Sequence, residues 1–218
     1  MQKTILALCV MLVVTPAMLI SQSKTVKSAQ KAKAHAAEPA KEIAVIETSM
    51  GSFEFELYRS DAPKTVENFV RLAEKEYFDG MRFHRIAKGF VIQTGDPNSK
   101  DMSKQSAWGT GGESIYGKVF EDELDPNTPS AKGGYKKGAV AMANRGPNTN
   151  TSQFFVCLAD VGLPHNYTIF GKVVKGMDVV EKIGQVEIEP QMGPSDGRPK
   201  KDVLMTKVTI RKEKPETK

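Results

Sequence analysis

The sequence has few of the residues that staple or metallate a fold: two cysteines, three histidines and a single tryptophan in 218 residues. Cys9 sits in an apolar N-terminal run and Cys157 in a predicted strand, which excludes a disulfide framework inside the folded region. His35, His84 and His165, without a cysteine cluster, offer no donor set for structural zinc. No apolar run reaches the roughly 20 residues of a comfortable membrane span. Nor does one sign of charge dominate the folded part. The formal charge is +5, from 31 Lys plus Arg and 26 Asp plus Glu, but Lys3, Lys24, Lys27, Lys31, Lys33 and Lys41 face Glu38 alone in the first 41 residues. Taking six from 31 and one from 26 leaves 25 of each sign beyond them. A neutral body of this kind lacks the basic footprint that nucleic acid requires. Gly109-Thr110-Gly111-Gly112 is no phosphate loop, because no Gly-Lys-Ser/Thr follows and no strand-to-helix setting surrounds it.

What is present divides into three parts. After Lys3, sixteen mostly apolar residues from Ile5 to Ile20 are interrupted by Thr15 and Pro16, and residues 1–20 read as a signal peptide or an N-terminal membrane anchor. Residues 21–41 are a Lys/Ala-rich linker with little to bury, expected to be flexible and, if the anchor is retained, a membrane tether. Residues 42–218 are the expected folded domain. This organisation predicts an exported protein, periplasmic or otherwise extracytoplasmic.

From Glu42 the pattern has period two. Ile43 to Glu47 and Phe53 to Leu57, joined through Ser49-Met50-Gly51, predict a β-hairpin. Pro63 opens a helix with Ser60 or Asp61 as candidate cap, and Val66, Phe69, Val70 and Ala73 fall on one face before Tyr77-Phe78-Asp79-Gly80 ends it. Further strands are predicted over 82–86, 90–94, 139–143, 153–158, 168–174 and 203–211, with a second helix over 177–183 and a loop after it. Alternation is expected to put Phe83 and Arg85 on one face, and Val91 and Gln93 on one face. The fold class is mainly β, an antiparallel barrel with helices over its ends. Cys157, with no activating histidine in view, reads as a packed thiol.

FHRI, GFVIQTGD, GTGG, SIYG, FEDE, MAN, GPNTN, SQFF and IFGKV occur in this order, and together they resemble a cyclophilin-type peptidyl-prolyl cis-trans isomerase from about Ala44 to Arg211. With the leader, the chain is similar to a bacterial, exported member. The resemblance implies a closed eight-stranded antiparallel barrel capped by two helices, no cofactor and no metal. It also implies a monomer acting on proline-containing peptides and unfolded protein clients. By the same resemblance Arg85 is the catalytic guanidinium and Gln93 the catalytic amide that anchors the rotating carbonyl side. Phe90, Val91, Phe155, Leu163 and Tyr167 line the proline pocket, Ala143 and Asn144 form the edge for substrate backbone, and Gly111 and Gly112 border the residues before proline.

Four positions depart from the family pattern. Gly162 stands where an aromatic Trp is expected, which argues against tight cyclosporin binding; Tyr167 replaces a common His, Val91 a common Met, and Arg145 a small residue. Loops 97–108 and 124–137 are longer than in compact members. Two functions are consistent with these residues: a folding catalyst, or a non-catalytic docking module or holdase for proline segments. The presence of both Arg85 and Gln93 favours the catalyst, since a binder has no need of a donor over the prolyl nitrogen.

Overall fold

The structure, a computed structural model, describes residues 40–213. The expected leader and nearly all of the expected linker lie outside the described residues. Lys41 already belongs to the first strand.

Eleven strands form one antiparallel sheet: β1 Lys41–Thr48, β2 Gly51–Leu57, β3 Met81–Arg82, β4 Arg85–Ala87, β5 Val91–Thr94, β6 Ala139–Met142, β7 Phe154–Cys157, β8 Ile169–Lys175, β9 Ile188–Gly193, β10 Asp196–Pro199 and β11 Leu204–Glu213. Their hydrogen-bonded order is β3-β11-β1-β2-β8-β6-β7-β5-β4-β10-β9. The expected closed eight-stranded barrel is therefore corrected to a curled, eleven-stranded sheet whose ladder has two ends, β3 and β9. Two features separate expectation from structure. The predicted strand over 82–86 breaks at Phe83-His84, and the predicted loop after the second helix contains the β9–β10 hairpin.

β1 and β2 form the predicted hairpin, with Ile46 opposite Phe53 and Thr48 opposite Gly51. β11 then runs along the other edge of β1 from Lys41↔Glu213 to Thr48↔Met205. The helices are α1 Pro63–Glu74, α2 Pro129–Gly133 and α3 Met177–Gly184. α1 starts at Pro63 as expected, but neither Ser60 nor Asp61 caps it. The orphan N–H groups of Lys64 and Thr65 instead donate to the two carboxylate oxygens of Glu123 at 3.0 and 2.8 Å, a negative charge at a helix N-terminus supplied from a distant loop. Asp61 is drawn off by the backbone N–H of Ser130, which holds its carboxyl below the usual range against the opposing effect of burial.

α1 packs its apolar face into the curl of the sheet. Phe69 lies 5.0 Å from Phe78, 5.4 Å from Phe55, and 5.6 Å from both Phe154 and Phe170, ring centre to ring centre. Large rings at these spacings carry much of the burial energy of a domain this size. Because this core lies on one side of the sheet, the opposite face of its central strands is left for other work.

Candidate active site

Four central strands divide their residues cleanly between two faces. Ile86, Ile92, Val156 and Val140 stand opposite one another across β4, β5, β7 and β6, and all four are buried in the main core. The alternate positions form a second row, Arg85–Gln93–Phe155–Ala141, on the other face. Ala87, Val91 and Cys157 make the next row and join Phe155, Ala141, Ala139, Ile169 and Tyr135 in a smaller apolar cluster. Period-two geometry alone thus sets a guanidinium and an amide beside an apolar floor.

A cavity of about 380 Å³ opens on this face. Arg85, Phe90, Val91, Gln93, Ala143, Asn144, Phe155, Leu163 and Tyr167, all expected at the site, line it. Tyr167 meets Phe155 edge to face at 5.7 Å, and Tyr135 fixes its backbone by donating to the Tyr167 carbonyl at 2.8 Å while accepting from the Tyr167 N–H at 3.0 Å. Gly111 and Gly112 do not line this cavity. They line an adjoining recess of about 310 Å³, which shares Gln93, Gly109, Thr110, Ala143 and Asn144 with it. A larger hollow of about 820 Å³ lies by α1 and β11, where Arg59, Glu67, Arg71 and Glu74 are already engaged in ion pairs with one another or with Glu42.

Arg85 heads a chain of hydrogen bonds. Its Nη1 donates to Gln93 Oε1 at 3.0 Å, Gln93 Nε2 donates to Gln153 Oε1 at 3.0 Å, and Gln153 Nε2 donates to the carbonyls of Gly109 and Gly111 at 3.0 and 2.6 Å. The Gly-rich loop is held from below by the fully buried carboxylate of Asp96. Its Oδ2 accepts from the backbone of Gly109 and, at 3.2 Å, of Gly111; its Oδ1 accepts from Asn98 at 2.8 Å. A Cβ at Gly111 would collide with Asp96 Oδ1, so the close approach requires glycine. Asn144 donates to the Asn166 carbonyl at 2.8 Å, tying the two edges of the site together.

The residues of this face fit within a known family. Residues 43–210 match the cyclophilin type peptidyl-prolyl cis-trans isomerase/CLD family. The chain belongs to the cyclophilin-type peptidyl-prolyl cis-trans isomerases. It is 48% identical over 152 residues to the human protein named peptidyl-prolyl cis-trans isomerase-like 1, covering 69% of this chain and 84% of that one. The like-named protein of Aspergillus niger is 45% identical over 152 residues, with 69% and 86% covered. A cyclophilin-type isomerase of Cryptosporidium parvum, crystallised in the presence of the dipeptide Ala-Pro, superposes with a TM-score of 0.66 at 33% identity, over 78% of this chain and 98% of that one. These relatives overturn the expectation of a bacterial-like, exported and periplasmic protein, since the isomerase-like 1 proteins come from mammals and fungi. Among the described residues no helix is long and apolar enough to cross a membrane.

Several residues lining the cavity were not anticipated. His84, Trp108, Gly109, Thr110, Gln191, Met192 and Asp196 also line the cavity. His84 falls in the break between β3 and β4, and the same break sends Phe83 into the main core, so Phe83 and Arg85 do not share a face as expected. Burial pushes the His84 imidazole down to about 4, with nearby Asp96 pulling upwards and Arg85 adding to the depression. Burial likewise raises the Cys157 thiol to about 12, consistent with a packed, unreactive sulfur. Among the departures, Gly162 is exposed and a Cβ there would meet nothing, so position 162 itself supplies no wall to the site. Arg145 reaches across the recess to donate to the Thr110 carbonyl. Of the longer loops, residues 97–108 form two 3-10 turns that deliver Trp108 to the cavity, and 124–137 contains α2.

Proposed function

We propose that this chain accelerates rotation about Xaa-Pro peptide bonds in unfolded or loosely structured protein segments and so assists their folding, with Arg85 as the catalytic group. The peptide bond resists rotation by about 18–20 kcal/mol because the nitrogen lone pair is delocalised into the carbonyl. A hydrogen bond directed at the prolyl nitrogen favours the twisted state, in which that lone pair is localised. A guanidinium suits the task because it stays charged, presents several donors in one plane, and requires no proton transfer or cofactor.

In this reading Phe90, Val91, Phe155, Leu163 and Tyr167 hold the proline ring while the preceding carbonyl turns. Gln93 steadies the guanidinium and meets the moving carbonyl side, Ala143 and Asn144 receive substrate backbone, and Gly111 and Gly112 accommodate residues before proline. The carrying observation is the row Arg85–Gln93–Phe155, which sets donor, amide and apolar floor side by side on one face. The Cryptosporidium parvum relative, crystallised in the presence of Ala-Pro, supports proline as the recognised element.

The test is the exchange rate of a short Xaa-Pro peptide with the full chain and with its Arg85→Ala variant. The unmodified chain should give strong acceleration and the variant about 10²- to 10³-fold less, the usual cost of losing one donor aimed at a transition state. Binding of the peptide without acceleration by the unmodified chain would instead support a docking module or holdase.

A further inference from the structure

The Arg85 guanidinium has a second partner, 111 residues away. Its Nε donates to Asp196 Oδ1 at 2.9 Å and its Nη2 to Asp196 Oδ2 at 2.7 Å, a two-pronged pairing. Asp196 opens β10, and the β9–β10 hairpin seats it there. Asp196 lies opposite Ala87 and Gly197 opposite Ile86, while Lys88 N–H donates to the Ser195 carbonyl at 2.8 Å. Ala87 and Arg85 share a face of β4, so Asp196 reaches Arg85 on the diagonal that cross-strand neighbours use. A Cβ at Gly197 would run into the Glu189 carbonyl, so the hairpin can close this tightly only with glycine there. Arg198, the next cation along β10, is paired with Glu189 and does not compete for Asp196.

We infer that Asp196 is a positioning residue for the proposed isomerisation: it fixes the plane and reach of the Arg85 guanidinium. The inference rests on Arg85 being the catalytic group. Counting donors shows how. A guanidinium has five N–H groups; Asp196 engages one on Nε and one on Nη2, and Gln93 engages one on Nη1, leaving one N–H on each Nη. Clamped on two sides, a side chain with several rotatable bonds is reduced to a single pose in which the remaining donors are available to substrate. The Arg85 and Asp196 side chains keep 27% and 20% of their accessible surface, so the pair is partly buried and its share in stability has to be separated from its effect on turnover.

The experiment uses the full chain and an Xaa-Pro peptide, with turnover and peptide affinity measured separately by NMR exchange. Arg85→Ala, Asp196→Asn, Asp196→Glu and the Arg85→Ala/Asp196→Asn double variant are compared, with melting temperatures alongside. Asp196→Asn should lower turnover about tenfold, the scale of a misaimed rather than missing donor, with affinity changed less than about twofold. Asp196→Glu should recover part of the loss, and the double variant should be no slower than Arg85→Ala alone. Unchanged or faster turnover in Asp196→Asn would overturn the inference. So would an equal loss in the Arg85→Ala background, or a loss that follows a collapsed melting temperature across both Asp196 variants. An unmodified chain that fails to accelerate exchange would overturn the isomerase reading itself, a result distinct from an active chain indifferent to Asp196.

Discussion

Gln153 lines the recess beside the cavity and joins its parts: its amide oxygen accepts from Gln93 and its amide nitrogen donates to the carbonyls of Gly109 and Gly111. One side chain thus couples the row that bears Arg85 to the loop that borders it. Replacing it with Leu leaves Gln93 without its acceptor and two loop carbonyls without a donor. An unsatisfied buried polar group costs about 1–3 kcal/mol. We expect Gln153→Leu to lower kcat/KM for an Xaa-Pro peptide by roughly tenfold, about 1.4 kcal/mol in the barrier. Unchanged kinetics would show that the loop is held by Asp96 alone.

The pH dependence of stability should carry a His84 component. The folded state keeps this imidazole neutral down to about pH 4, whereas its ordinary value is 6.5. Between those values the unfolded chain binds a proton that the folded chain refuses, so stability rises with pH there and is lost as pH falls from 6.5 to 4. At about 1.4 kcal/mol per unit, the contribution is roughly 3 kcal/mol at most. Denaturant unfolding at pH 7 and pH 4.5 should show this decline in the unmodified chain and a shallower one in His84→Gln. Parallel declines would assign the effect to carboxylates instead.

Gly162 offers a gain-of-function test. Its Cβ would enter open space, and its φ lies outside the left-handed region, so a side chain can start from this position without strain. Gly162→Trp should supply the aromatic wall that the family pattern places before Leu163 and raise cyclosporin affinity by about tenfold or more, given the area an indole buries. Calorimetric titration of both proteins decides it. Equal affinities would mean that the backbone here holds the side chain away from the site.

Trp108 provides a native reporter. It is the only tryptophan, lines the cavity, lies under the Arg82 guanidinium at 5.4 Å and donates through Nε1 to the Asp101 carbonyl at 3.1 Å. A proline peptide entering the cavity should displace water from the ring and shift its emission to shorter wavelength, saturating with the affinity seen by NMR. Trp108→Phe should abolish the signal while leaving the fold intact.

Most of the strands were legible because each is a local alternation ending at a turn residue. Phe83 and His84 were not, because the break that sends one into the core and the other to the cavity interrupts a continuous alternation. The β9–β10 hairpin reads as a loop because residues 188–199 are mostly polar and include Pro190, Pro194 and Pro199; the two strands pair with each other, and β10 alone docks against β4. The helix cap was misread for a similar reason: Glu123 does the work expected of Ser60 or Asp61, from a loop that sequence proximity does not connect. Arg85, Gln93 and the pocket residues were recognisable through family resemblance. Asp196 was not, since its meaning lies in a contact across 111 residues.

On the four central strands the number of a residue tells its occupation. Odd positions, Arg85, Val91, Gln93, Ala141 and Phe155, face the cavity or the cluster beneath it, while even ones, Ile86, Ile92, Val140 and Val156, face the core. Substitutions at odd positions can therefore retune what the surface recognises while the interior stays as it was. A one-residue insertion or deletion within any of these strands is a different event: it would press polar groups inwards and turn isoleucines and valines out to water. The face can vary by exchange of letters, but hardly at all by a change in their count.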